Sequence, residues 1–253
     1  MVLGSGGSRG LAHVGVIEEL ENLGIVPDVI VGCSSGAIVG ALYAQHRDIA
    51  KVKKILIDLK QDDLVDFTFF QKHALSTRKK LEKFLKENLT VNNFPSLKVT
   101  FIAVATDLNK GEPVYIQEGD LHPAVLASSA LPALFPPYKM GDQIYVDGGV
   151  SDPLPVQFAH TLGDAVVIAS DISPSLDGFD ADSLPQVLRK SFEVVYQRLA
   201  HSAREEADIL LEMDFKGIDS PLADNVNTDL YERGKESVRN SSEKIMGKVS
   251  IPK

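Results

Sequence analysis

Val29-Ile-Val-Gly-Cys-Ser-Ser-Gly-Ala37 reads as a strand, a tight turn and the start of a helix. Val29 to Val31 is a short apolar run of the kind that fills a buried strand. Gly32-Cys33-Ser34-Ser35-Gly36 follows, and an apolar helical pattern begins at Ala37. This is a G-x-S-x-G sequence in the strand–turn–helix setting that gives it meaning. The glycines Gly32 and Gly36 let the backbone turn sharply. The turn lifts the Ser34 hydroxyl above a sheet edge at a helix N-terminus, where developing negative charge is favoured.

Upstream, Val2-Leu3 is the stub of a first strand, and Gly4 to Gly10 is a loop of small residues with one cation, Arg9. Leu11 to Gly24 then carries helical periodicity. A glycine loop between strand and helix presents unpaired backbone N–H groups to an anion.

Downstream, residues 37–60 read as helical, 62–75 as a loop or short helix near a cleft, and 76–88 as an amphipathic helix. Lys98 to Thr106 and Pro113 to Gln117 read as a hairpin joined by Asp107 to Gly111. His122 to Ser129 is a short helix, and the prolines of 131–137 forbid regular structure there. Gln143 to Val146 is a strand ending in Asp147-Gly148-Gly149. Pro155 opens a helix, Asp164 to Ser170 is a strand, and 174–182 is a polar loop. Leu184 to Ala207 is a long amphipathic helix, Ile209 to Met213 a last strand, 214–227 a loop and 228–247 a C-terminal helix. Strands alternating with helices predict an α/β fold with a mainly parallel sheet covered on both faces.

The 253 residues suffice for one large α/β domain, and we expect a single domain over 1–253. A net charge of −9 argues against a nucleic-acid partner and gives no bulk attraction to anionic membranes. The one cysteine, Cys33, excludes an internal disulfide and a multi-cysteine metal site. No basic-then-apolar leader and no 18-residue apolar run are visible, so a cytoplasmic setting is expected. No metal or cofactor is called for. No basic amphipathic anchor stands out.

A serine nucleophile needs a base within hydrogen-bond reach. The late histidines, His160 and His201, both fall in helical patterns, so a histidine triad is poorly supported. Asp147 is the better candidate. It follows a strand directly, and the C-terminal ends of parallel strands share one edge, where it can meet Ser34. Burial would raise its pKa and make it more basic. The amides of Gly6, Gly7, Ser8 and Arg9 can supply an oxyanion hole, each donor being worth about 2.7–4 kcal/mol.

Together the glycine loop ending in Arg9-Gly10, the Gly32–Gly36 turn and Asp147-Gly148-Gly149 resemble the patatin-like phospholipase family. Ala12 to Ile17, Ala127 to Pro132 and Phe135-Pro-Pro137 look similar too. The motifs stand in the family's order from residue 1 to about 170. The resemblance implies a three-layer patatin-like fold, a Ser34 nucleophile, Asp147 as its base, an oxyanion loop at Gly6 to Gly10, and hydrolysis of lipid acyl esters without a metal. It also implies a lipid or other acyl-ester substrate, met through transient peripheral contact with a membrane.

This chain departs from the family pattern at Ser5, which replaces the first loop glycine, at Cys33 and Ser35 within G-x-S-x-G, and at Asp152, where asparagine is frequent. None removes a catalytic group. Ser5 and Asp152 motivate a second reading, a regulatory or scaffold protein with little turnover. A third, dinucleotide binding by the glycine loop, is disfavoured. Arg9 falls where the last glycine is needed, and no acidic residue ends the second strand. Phe67, Phe69, Phe70 and Phe135 are candidates for an acyl pocket or for plain core.

Overall fold

The computed structural model describes residues 1–66, 74–173, 176, 183–216, 218 and 226–249. The strands are β1 (Val2–Leu3), β2 (Val29–Cys33), β3 (Thr100–Asp107), β4 (Glu112–Ile116), β5 (Tyr138–Met140), β6 (Gln143–Asp147), β7 (Ile168–Asp171) and β8 (Ile209–Glu212). The α-helices are α1 (Leu11–Asn22), α2 (Ser35–His46), α3 (Ile49–Leu56), α4 (Gln61–Leu64), α5 (Lys79–Asn88), α6 (Leu121–Ser128), α7 (Val156–His160), α8 (Leu184–Glu206), α9 (Val226–Asn240) and α10 (Ser242–Lys248).

One sheet runs in the order β5-β6-β3-β2-β1-β7-β8, with β4 also on β3. The pairs β3–β2, β2–β1, β1–β7 and β7–β8 are parallel. Side chains alternate between faces along a strand, and two cores follow from that alternation. Leu3, Ile30, Phe101 and Ala103 pack with α1, α2, α3, α5, α6 and α9. Val2, Val31, Cys33, Ile102 and Val104 pack under α7 and α8. A third cluster joins Ile168, Ile209 and Leu211 to α1, α9 and α10. The result is a three-layer α/β fold with a mostly parallel central sheet, as the sequence led us to expect.

Several boundaries differ. The stretch expected to be helical over 37–60 holds two helices, α2 and α3, with a break between them. Arg47 takes a left-handed conformation (φ 49°, ψ 43°), and the Asp48 carboxylate caps α3 by accepting from Lys51 N–H at 3.0 Å. Helix α5 starts at Lys79 rather than Ser76. Asp66 accepts from the Ser76 hydroxyl, the Thr77 amide and the Thr77 hydroxyl, which holds that stretch in a turn. The C-terminal helix breaks between Asn240 and Ser242. Strand β5 has no counterpart in the sequence reading.

The strand that carries Asp147 corrects a topological expectation. β6 is antiparallel to β3, not one of the parallel set. Ala105, Thr106 and Asp107 pair with β4 and β6 at once, and Ala103 and Val104 pair with β4 and β2 at once. β2 and β6 therefore lie on the same side of β3, end to end. β2 stops at Cys33, opposite Val104, and β6 arrives from beyond the sheet edge to stop at Asp147, opposite Ala105.

Candidate active site

Ser34 sits between β2 and α2 with φ 57° and ψ −119°, a conformation that a residue with a Cβ seldom adopts. Strain of this kind persists only where the surroundings impose it. Here the Ser34 amide donates to Ser128 Oγ at 3.0 Å, and its carbonyl accepts from the Ala37 amide at 2.9 Å and from Ser129 Oγ at 3.4 Å. The flanking glycines are required by close approach. A Cβ on Gly32 would stand 2.6 Å from the Gly36 carbonyl oxygen, and one on Gly36 would stand 2.2 Å from that of Leu3.

The Ser34 hydroxyl donates to Asp147 Oδ2 at 2.5 Å. Asp147 Oδ1 accepts the Gly149 amide at 2.8 Å, so both carboxylate oxygens are engaged. The group is fully buried. Burial is the main cause of its pKa rising from 3.8 to about 7, against the opposing pull of the Ser34 hydroxyl and the Gly149 amide. Gly148 leaves no room for a side chain either, since a Cβ would stand 2.3 Å from the Val104 carbonyl oxygen. The short bond between a hydroxyl and a basic buried carboxylate can activate the hydroxyl as a nucleophile.

The glycine loop leaves β1 under tight control. Gly4 N–H donates to the Ser170 carbonyl at 3.0 Å and Ser5 N–H to that of Pro153 at 2.9 Å. The Gly4 carbonyl accepts from His13 Nε2 at 2.9 Å, so Nε2 carries the proton and Nδ1 accepts from Ser170 Oγ at 2.8 Å. Burial lowers the His13 pKa to about 4, so the ring is neutral above that. Gly7 to Gly10 then form a 3₁₀ turn. Among the described residues, the amides of Gly6, Gly7 and Ser8 have no hydrogen-bond partner. The Arg9 amide is turned back onto the Gly6 carbonyl at 3.4 Å. Gly10 abuts α2, where its Cβ would meet that of Ser35 at 3.0 Å. The five loop residues thus divide into three open amides, one amide used internally and one packing glycine.

Arg9 itself points away from the loop. Its Nε donates to the Ile172 carbonyl at 2.9 Å, and its guanidinium pairs with Glu193 at 3.9 Å. Cys33 is a buried thiol whose pKa is raised well above its ordinary value by burial and by Asp147 and Asp152. Asp152 accepts from the Tyr115 hydroxyl at 2.8 Å, and burial raises its pKa. Phe135 belongs to the hydrophobic core. Phe67, Phe69 and Phe70, and most of the expected 174–182 loop, lie outside the described residues.

Five positions to which the sequence assigns no role support the site. Ser128 and Ser129 pin the Ser34 backbone. Ser170 with His13 fixes the root of the glycine loop. Tyr196 of α8 is buried against the Asp147 turn, its Cζ 2.6 Å from where a Gly149 Cβ would be. The Ala127-Ser-Ser-Ala130 stretch and His13 were visible as motif-like features. Tyr196 carries no local signal, being 49 residues downstream of Asp147. Among the described residues, no cluster of His, Cys, Asp and Glu is placed to hold a metal ion, and no helix is long and apolar enough to cross a membrane.

A family model described as patatin-like phospholipase matches residues 1–160. Over 189 residues the chain is 33% identical to an uncharacterized NTE family protein of Mycobacterium tuberculosis, covering 74% of this chain and 52% of that protein. It is also 33% identical to a lysophospholipase nte1 of Aspergillus fumigatus, covering 74% of this chain and 12% of the relative. The chain thus spans about half the length, or less, of the curated relatives it matches. Among solved structures, VipD from Legionella pneumophila superposes with a TM-score of 0.62 over 94% of this chain and 65% of that one, at 14% identity. The type III effector protein ExoU gives 0.50 over 97% and 53%, also at 14% identity.

Proposed function

Because this chain belongs to the patatin-like phospholipase family, we propose that it is a serine acyl-ester hydrolase acting on lipid esters. Ser34 is its nucleophile and Asp147 its base. The observation that carries this reading is the 2.5 Å bond from the Ser34 hydroxyl to a buried carboxylate whose pKa lies near 7.

Ser34 Oγ attacks the ester carbonyl carbon as its proton passes to Asp147. The oxyanion that forms is met by the open amides of Gly6, Gly7 and Ser8. As the tetrahedral adduct collapses, the C–O bond to the alcohol breaks and that oxygen takes the proton from Asp147. Water then attacks the acyl-serine, Asp147 accepts its proton, and the acid leaves as Ser34 regains a hydrogen. No metal or cofactor is required by these steps. A lysophospholipase among the relatives supports phospholipase A-like or lysophospholipase-like substrates. We further place residues 1–253 in one domain, working in a reducing cytoplasm with transient contact with membranes.

Hydrolysis of p-nitrophenyl esters of graded chain length tests the proposal. Ser34→Ala and Asp147→Asn are each expected to lose at least about 10³-fold in kcat/KM, by analogy with removal of other nucleophile–base members. Retained hydrolysis in Ser34→Ala overturns it. A folded wild type that hydrolyses no ester favours the scaffold reading instead.

A further inference from the structure

The long helix α8 has two unlike faces. On the inner one, Glu193, Tyr196, Ala200 and Ala203 are buried. Glu193 meets Arg9 of the glycine loop, and Tyr196 meets Gly149 of the Asp147 turn. On the outer one, Leu184, Val187, Leu188, Val195 and Leu199 follow the i, i+3, i+4 spacing of a single helical stripe and are 37–71% exposed. Among the described residues, no other helix or strand exposes more than one large apolar side chain. The stripe runs for about 22 Å at 1.5 Å per residue. Contiguous apolar surface of this kind marks a place where something docks.

The charges on the helix indicate what docks. From Leu184 to Ala200 the charged residues are Arg189, Lys190, Glu193 and Arg198. Glu193 is buried and paired with Arg9, Arg189 and Lys190. Arg189 is held by Glu193, so the exposed charge that lies along the stripe, on Arg198, is positive, on a chain whose net charge is −9. An apolar stripe with positive charge beside it, on a helix of low overall hydrophobicity, is the pattern of a helix that lies in the plane of a lipid interface. Its side chains enter the acyl boundary while Arg198 reaches a head-group phosphate.

We propose that the outer face of α8 is the surface by which this protein seats on an anionic lipid bilayer. The inner face of the same helix backs the glycine loop and the Asp147 turn. Seating therefore brings the catalytic loops to the interface where lipid esters are found. The inference rests on the lipid-ester reading of the site for its purpose, but vesicle binding is measured without turnover.

The test is co-sedimentation with phosphatidylcholine vesicles, with and without phosphatidylglycerol. Three proteins are compared: wild type, the combined variant Leu188→Ser, Val195→Ser and Leu199→Ser, and the variant Arg198→Gln. Wild type is expected to bind the anionic vesicles. The serine variant should lose at least tenfold in partition to both vesicle types. The glutamine variant should lose the preference for phosphatidylglycerol. All three should hydrolyse a water-soluble ester equally, since Leu188, Val195, Arg198 and Leu199 are exposed and none of them contacts the glycine loop, Glu193 or the Asp147 turn. Loss of ester hydrolysis in wild type defeats the catalytic reading and leaves the binding result standing. Wild type that ignores both vesicles overturns the docking proposal, as does equal binding by the serine variant. It is also overturned if lipid-free wild type is a dimer that the serine variant converts to monomer, because the stripe then meets a second copy of the chain.

Discussion

Cys33 and Asp147 pair with consecutive residues of β3, Val104 and Ala105, from the same side. β2 rises toward the sheet edge and β6 comes down from beyond it, so the two strands meet end to end. The residue after Cys33 and the last residue of β6 are brought together by β3 as a shared template. Register in a buried sheet is set by which side chains face the core. The 2.5 Å bond between Ser34 and Asp147 is thus fixed by the packing of the whole sheet, not by a flexible loop.

Asp147 has to be ionised to take the Ser34 proton. With its pKa near 7, kcat/KM for a neutral ester is expected to rise tenfold per pH unit below about 7 and to level off above it. A stopped assay across pH 5–9 reads this limb. A profile that stays flat down to pH 5 contradicts the role given to Asp147.

The same group makes folding depend on pH. Between the ordinary carboxylate range and pH 7 the folded chain holds a proton on Asp147 that the unfolded chain has released. Its contribution to stability therefore falls as pH rises through that window, by on the order of 4 kcal/mol in all. Asp147→Asn cannot titrate. The wild-type Tm should drop more between pH 5 and pH 8 than that of Asp147→Asn. Parallel Tm curves for the two proteins would contradict the burial account.

His13 is a positioning residue for the glycine loop. His13→Leu leaves the Gly4 carbonyl and the Ser170 hydroxyl without their bonds, at about 1–3 kcal/mol for each buried group left unsatisfied. Because the loop root loosens, kcat should fall while KM for a small ester stays nearly constant. His13→Gln keeps one donor and one acceptor and is expected to recover part of kcat. Wild-type kcat in His13→Leu would remove His13 from the site.

Much of this was legible in the sequence because it is local. The Gly32–Gly36 turn announces itself by strand, glycine, serine and helix in nine residues. The alternation of strands and helices gave the layered fold. What was hidden depends on contacts distant in sequence. The antiparallel course of β6 and the existence of β5 depend on pairing with β3, which neither short segment encodes. The break at Arg47 does not show because apolar periodicity resumes on the far side of Asp48. Tyr196 is tied to Asp147 only through the packing of α8. That a 3₁₀ turn directs the Arg9 amide onto the Gly6 carbonyl is not visible in composition, which makes it look equivalent to its neighbours.

The glycines of the serine turn can be tested by contrast. Gly36→Ala drives a Cβ to 2.2 Å from the Leu3 carbonyl oxygen, so it should cost about 1–3 kcal/mol or more. Gly247, in α10, has nothing within 4 Å of its Cβ position. Gly247→Ala should instead stabilise by about 0.5–1 kcal/mol, the helical preference for alanine. Chemical denaturation of both variants measures the difference. Equal stability of the two would show that the tight turn tolerates a side chain.

The most direct test of the Ser34–Asp147 pair is the rate at which a fluorophosphonate labels the folded protein at pH 8, followed by intact mass and by mapping of the modified peptide. We expect a single adduct on Ser34 in wild type, none in Ser34→Ala, and labelling at least about 10²-fold slower in folded Asp147→Asn, in the range typical for loss of a general base. An adduct on another residue, or equal labelling of wild type and Asp147→Asn, would contradict the account.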